Sequence, residues 1–153
     1  MTDARIRLRF TRRAVLSAAG LAGIAAAAPR LAFAEEEETS LLTGLFGMLP
    51  APSDRVRLDM PPKFSSGYTV PLDLTITGPM TDAAYARAVH VLAPRNPLFR
   101  VAIFHFTPAN GEARVSTRIR LAQPQHVIAV AEMSDGPLLM ARAWVEVESD
   151  GCA

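Results

Sequence analysis

Beyond residue 50 the chain is written largely in alternation. Val70, Leu72, Leu74 and Ile76 are separated by Pro71, Asp73 and Thr75, the period-two signature of a half-buried strand. Pro71 predicts that this strand, Tyr68–Ile76, lies at an edge or carries a bulge near its start. Val115, Thr117, Ile119 and Leu121 alternate with Arg114, Ser116, Arg118 and Arg120, which predicts a strand with one basic, wet face. Leu138–Glu148 turns Leu139, Ala141, Ala143, Val145 and Val147 inward and Arg142, Glu146 and Glu148 outward. His126–Met133 is nearly continuous in apolar residues, as a buried strand is. Phe99–Phe106 puts Ala102, Phe104 and Phe106 on one face and Val101, Ile103 and His105 on the other. Apolar residues on both faces predict a central strand. Tyr85–Leu92 is a further strand, with Tyr85, Val89 and Val91 on one side, although Ala83 to Ala88 also reads as a helical turn. Val56–Met60 is a short strand bracketed by Pro50, Pro52, Pro61 and Pro62.

Turn chemistry separates these runs. Gly78-Pro79, Pro94-Arg95-Asn96-Pro97, Pro108-Ala109-Asn110-Gly111 and Ser134-Asp135-Gly136-Pro137 are stretches that strands do not tolerate. Six or seven strands with a turn every ten or so residues predict an antiparallel β-sandwich. Ahead of them, Leu41, Leu42, Leu45, Phe46 and Leu49 fall at helical spacing. They predict a short helical turn within residues 39–49, capped by Thr39 or Ser40. Packing on the domain edge and contact with a partner are both open for it.

The first 34 residues read differently. Arg12-Arg13 is followed by an Ala/Gly-rich apolar run from Ala14 to Ala28, and Ala32-Phe33-Ala34 has the small-x-small form of a cleavage site. This order is that of a secretory signal, and the paired arginines point to the twin-arginine route. The apolar run is about 15 residues, short of the ~20 that span a bilayer. The expected organisation is a signal peptide over 1–34, a β-sandwich over 35–148 and a flexible tail over 149–153. Glu35 to Glu38 would then be a solvated start to the mature chain.

Charge sharpens this division. The chain has 16 basic and 15 acidic residues. Six Arg and one Asp fall within 1–34, which leaves 10 basic and 14 acidic residues and a balance of −4 for the rest. That excludes an electrostatic footprint for nucleic acid. His90, His105 and His126 are 15 and 21 residues apart, without metal-ligand spacing, and read as satisfied core or edge histidines. No metal or cofactor is expected. No Ser-His-Asp set, phosphate-binding glycine loop or paired carboxylates stand out. The stripe of Arg114, Arg118 and Arg120 is a solvated face that could also steer an anion or an acidic partner.

One cysteine remains, in Asp150-Gly151-Cys152-Ala153. A single Cys excludes an internal disulfide and a multi-Cys metal site. If the last strand stops near Glu148, Cys152 sits about four residues beyond the sheet, a reach of roughly 13–14 Å. Gly151 makes the segment pliant, and such a tip can enter another protein's cleft. Asp150 beside the thiol should push its pKa above the reference ~8.5, so activation must come from a partner enzyme. An incidental residue or an intermolecular disulfide is the plainer alternative.

These residues carry a family likeness. The tail, with Gly67-Tyr68-Thr69-Val70-Pro71, His105-Phe106-Thr107-Pro108, Thr117-Arg118-Ile119-Arg120-Leu121 and Ala131-Glu132-Met133-Ser134-Asp135-Gly136, resembles SoxY. SoxY is the sulfur-carrier subunit of the periplasmic thiosulfate-oxidising system. The resemblance implies an immunoglobulin-like β-sandwich, all-β, paired in a heterodimer with a SoxZ subunit. It implies a non-enzymatic carrier to which a c-type cytochrome enzyme joins thiosulfate. A hydrolase then releases sulfate, and a sulfane dehydrogenase, where present, oxidises the remaining sulfur. Covalent attachment of sulfur carries over to Cys152 alone, with Asp150, Gly151 and Ala153 forming the tail. A dimer through a Cys152 disulfide is a further expected association. The family tail reads Gly-Gly-Cys-Gly-Gly, so Asp150 and Ala153 depart from it. The departure leaves open a carrier or assembly module of another route, for example one associated with quinoprotein dehydrogenases, with the thiosulfate cargo lost or changed.

Overall fold

The computed structural model describes residues 28–148, with side chains from Glu36 onward. The twin-arginine pair and residues 149–153 lie outside the described residues. The chain divides into two compact units between Leu41 and Leu42.

A helix, α1, spans Ala28–Phe46. It starts well before Thr39 and Ser40, so neither is its cap, and the short helical turn expected there is the end of a longer element. Gly47 stops it: its φ is 75° and its N–H reaches Thr43 O at 2.8 Å, the left-handed closure that glycine provides. Among the described residues no helix is long and apolar enough to cross a membrane.

Nine strands follow among the described residues: β1 (Ala51–Pro52), β2 (Val56–Asp59), β3 (Lys63–Phe64), β4 (Val70–Ile76), β5 (Ala86–Leu92), β6 (Arg100–His105), β7 (Ala113–Ile119), β8 (Gln125–Met133) and β9 (Leu138–Val147). Seven have four or more residues, matching the strands that alternation predicts. They form an immunoglobulin-like β-sandwich. One sheet runs β1-β9-β8-β5-β6, with β3 also on β9, and the other runs β2-β4-β7. The longer pairings are antiparallel, whereas the two-residue strands β1 and β3 run parallel to β9.

The core lies between the sheets. Val70, Leu72, Leu74 and Ile76 of β4 meet Val127, Ala129 and Ala131 of β8 and Val145 and Val147 of β9 in one cluster. These are the positions that alternation sends inward. In β5 a register shift between Ala86 and Ala88 lets Ala86 and Val89, three residues apart, both face this core.

Two strand expectations are corrected. β6 is not central but the edge of the larger sheet. Val101, Ala102 and Phe104 pack on the core, and a register shift opposite Val91 and Leu92 accounts for two adjacent residues facing it. Ile103, on the other face, is 37% exposed. The strand carrying Pro71 is the middle one of its sheet rather than an edge. Its β2 partner, however, pairs only as far as Asp59 with Asp73, so Pro71 has β7 alone beside it. The absent N–H of proline then interrupts no ladder. The gap left there is a cleft of about 260 Å³ lined by Asp59, Met60, Pro61, Pro71 and Asp73.

Candidate functional site

The exit of β9 is the structural base of the Cys152 segment. Val145 and Val147 are buried and fix the strand against the core. On its open side Glu146 N–H donates to Pro62 O at 2.9 Å, and Glu148 N–H donates to Phe64 O at 3.2 Å. Between those two contacts Lys63 Nζ lies 3.0 Å from Glu148 and 3.9 Å from Glu146. The hydrogen bond from Lys63 to Glu148, then the charges of Glu148 and Glu146, raise the Lys63 pKa above its ordinary value. The chain is therefore held as far as Glu148. Cys152, Asp150, Gly151 and Ala153 lie outside the described residues, so the thiol's surroundings are not part of this geometry.

The loops at the same end of the sandwich are tied together. Gln125, at 1% exposure, takes the Arg95 N–H at 2.8 Å on Oε1 and donates from Nε2 to Asn96 Oδ1 at 3.0 Å and Gln123 O at 3.2 Å. Asn96 in turn donates to Arg120 O and accepts from Ala122 N–H, each at 2.8 Å. Leu121 N–H donates to Gly67 O at 2.8 Å. Arg118 reaches Thr69 O at 3.3 Å, and the Arg120 guanidinium lies 5.8 Å from the Tyr68 ring centroid, within cation–π range. Sequence reasoning missed Gln125 and Asn96 as the centre of this end. A Gln opening the buried β8 strand was the available signal, because a buried amide must be paired.

The three histidines separate. His105 and His126 are exposed: His105 is an edge histidine, on the edge strand β6, whereas His126 stands on the interior strand β8 and is neither core nor edge. Strand parity turns both to the outer face of the larger sheet, where His126 meets Trp144 edge-on at 5.1 Å between centroids. His90 is the enclosed one. Its Nε2 is 2.7 Å from Glu132 Oε1, Glu132 Oε2 accepts from Arg87 at 2.7 Å, and Phe46 stands edge-on to the ring at 5.1 Å. Arg87 is the main cause of a lowered Glu132 pKa; burial opposes it and His90 assists. Among the described residues no group of three His, Cys, Asp or Glu could hold a metal ion.

The four sequence stretches that carry the family likeness fall at opposite ends. Gly67–Pro71 and Thr117–Leu121 pair at the end where β9 exits. His105–Pro108 and Ala131–Gly136 lie at the other, where Ser134 N–H meets Tyr85 O and Phe106 N–H meets Arg87 O. The first pair lies at the β9 exit; the second closes the sandwich at its other end.

Comparisons with known proteins agree with this architecture. No curated protein matches the chain. Among solved structures it is similar to the sulfur carrier protein SoxY from Chlorobium limicola f thiosulfatophilum, with 24% identity and a TM-score of 0.60, covering 74% of this chain and 97% of that one. It is also similar to a superoxide reductase (neelaredoxin) from Ignicoccus hospitalis, with 18% identity and a TM-score of 0.58, covering 67% of this chain and 98% of that one. Two such different proteins on one architecture mean that these likenesses carry the fold and not the chemistry. The family is decided by sequence: the family model of sulfur oxidation protein SoxY matches residues 43–152, from the end of α1 through the whole sandwich to Cys152, and the chain belongs to the SoxY family.

Proposed function

We propose that this protein is a covalent sulfur carrier whose attachment point is the Cys152 thiol. The observation that carries the reading is the extent of the family match, which runs to residue 152 and so includes the cysteine. The clamp of Pro62, Lys63 and Phe64 on β9 supports it, because it fixes the base from which a four-residue reach to Cys152 begins. The domain is the handle and the thiol the attachment point.

In loading, the Cys152 thiol loses its proton and one S–S bond forms to the outer sulfur of thiosulfate. Two electrons leave to a c-type cytochrome partner, which is the oxidant. Hydrolysis then breaks the bond to the sulfone sulfur, releases sulfate and leaves a persulfide on Cys152. The carrier supplies no acid, base or metal to either step. Its partners are a SoxZ-like subunit in a heterodimer, the loading cytochrome, a hydrolase and, where present, a sulfane dehydrogenase. The protein works in the periplasm, reached by the twin-arginine route after cleavage behind Ala34.

Asp150 favours a second reading. A carboxylate two residues from the thiol repels anionic cargo and stiffens a segment that glycine leaves free. On that reading the chain is a carrier or assembly module of another sulfur route. The test is loading by the cytochrome partner with thiosulfate, followed by mass analysis. Wild type gains a reducible adduct, and Cys152→Ser gains none while keeping its fold and its SoxZ-like partner. Normal loading of Cys152→Ser refutes the carrier role, and failure of wild type to load moves the assignment to the second reading.

A further inference from the structure

Charge is placed unevenly along the sandwich. Beyond residue 34 acidic residues outnumber basic ones, a balance that by itself repels an acidic partner. The end from which β9 exits is nevertheless cationic. Arg95, Arg100, Arg118 and Arg120 lie there and are exposed, and among the described residues none of them is in an ion pair with a carboxylate. The carboxylates toward that end are engaged by other groups: Glu146 and Glu148 by Lys63, Asp59 by Arg57 and Asp73 by the Ser116 hydroxyl. The loops at the opposite end carry Asp54, Asp82, Glu112 and Asp135, all exposed, whereas their Arg55 is half-buried and donates to Thr77 O at 3.0 Å. The domain is therefore an electrostatic dipole with its positive end at the β9 exit.

That end is also built as a contact surface. Leu98 is 82% exposed and lies in sequence between Arg95 and Arg100. Its loop is braced: Ala93 N–H donates to Phe99 O at 2.7 Å, Asn96 N–H donates to Ala93 O at 3.0 Å, and the buried Gln125 accepts the Arg95 N–H. Asn96 also donates to Arg120 O, which ties the Leu98 loop to the arginines that close β7. Arg118 donates to Thr69 O, and Arg120 stands over the 47% exposed Tyr68. Side chains ordered in advance lose little entropy on binding, Tyr and Arg are the residues that most often dominate an interface, and guanidinium groups grip carboxylates bidentately. We propose that this end docks on a partner enzyme whose entrance is rimmed by carboxylates, with Leu98 as the apolar anchor and Arg95, Arg100, Arg118 and Arg120 as the steering contacts. The dipole turns the carrier so that the β9 exit leads. The proposal rests on the carrier reading for the identity of the partner, whereas the contact itself belongs to the domain.

The loading cytochrome is the partner that must meet the empty carrier first, and surface plasmon resonance measures its association. The mature protein is used in its heterodimer and as Cys152→Ser, so that docking is read without chemistry. The association rate is expected to fall at least about tenfold between about 0.02 and 0.5 M salt, a result that needs no change in the domain. Arg95→Gln/Arg100→Gln/Arg118→Gln/Arg120→Gln lowers the low-salt association rate about tenfold with little change in dissociation, and the four matching Lys substitutions recover most of it. Leu98→Ala speeds dissociation about tenfold and leaves association unchanged. Arg114→Gln, on β7 but toward the opposite end, alters either rate less than about twofold. A rate indifferent to salt, a four-Gln protein that associates as wild type does, or no measurable association with the cytochrome overturns the proposal. Loading is scored separately in protein that keeps its cysteine, so a chain that docks in this way yet takes up no sulfur contradicts the carrier reading alone.

Discussion

Gln125→Met tests whether the end of the sandwich nearest the tail is held by a buried amide. Gln125 is almost wholly enclosed and makes three hydrogen bonds, with Arg95 N–H, Asn96 Oδ1 and Gln123 O. Methionine has nearly the same length and volume, so packing is preserved and the polar contacts alone are lost. Each bond contributes about 1 kcal/mol net, and the partners are left half-buried without replacement. The apolar end of methionine returns about 1 kcal/mol through burial. The expected loss is therefore about 2–3 kcal/mol, or roughly 8–12 °C in Tm for a domain of this size. Urea unfolding followed by the fluorescence of Trp144, the only tryptophan, measures it directly. Amide exchange should quicken in the 94–97 and 120–125 loops, because the amide ties the two together. A Gln125→Met protein within about 0.5 kcal/mol of wild type would refute the reasoning and make the amide a passenger in an apolar site.

Other outcomes follow from the same structure. Glu132 has its carboxyl pKa lowered in the fold, chiefly by Arg87, so its stabilisation is present above the unfolded value of ~4.3 and lost as pH falls through the folded one. Glu132→Gln should cost about 1–2 kcal/mol at pH 7 and progressively less by urea unfolding as pH falls below the unfolded value; a cost that does not decline on acidification would contradict the pairing. Leu72, 1% exposed in the core, and Leu98, 82% exposed in a loop, separate packing from composition. Leu72→Ala should lose about 3 kcal/mol and Leu98→Ala less than about 0.5 in the same assay. Lys63→Met removes solvent-exposed ion pairs to Glu146 and Glu148 and should leave the urea midpoint essentially unchanged; a clear loss would mean that the salt bridges, rather than the backbone bonds to Pro62 and Phe64, hold the β9 exit.

Much of the fold is legible in the chain where a strand has one wet face and one dry. β4 and β7 alternate cleanly, as β9 does from Ala141 onward, whereas β5 and β8 are buried on both faces. β6 misleads because its two faces are both apolar for different reasons. Val101, Ala102 and Phe104 pack on the core across a register shift, whereas Ile103 lies beside His90 on the outer face. Periodicity cannot separate those causes. The helix misleads in the other direction. Glu35 to Glu38 suggest a solvated lead-in, yet such residues are good helix formers, and Gly47 marks the true end at a positive φ. The histidines mislead because apolar neighbours in sequence are not neighbours in space: parity turns all three to the outer face of the larger sheet, and only His90, with Phe46 edge-on to its ring, is enclosed there. Cys152 is conspicuous in the sequence because it has no companion. The network around Gln125 and Asn96 is not, because its members come from separate loops and meet only in the folded chain.

The central claim is that Cys152 carries sulfur, and the intact mass of the mature protein tests it most directly. The protein is isolated from cells grown with thiosulfate and weighed before and after reduction. The account predicts a sulfur-containing adduct on the tail that reduction removes, localised to Cys152 by fragmentation. A bare thiol, or only a disulfide-linked dimer, in thiosulfate-grown cells would contradict it.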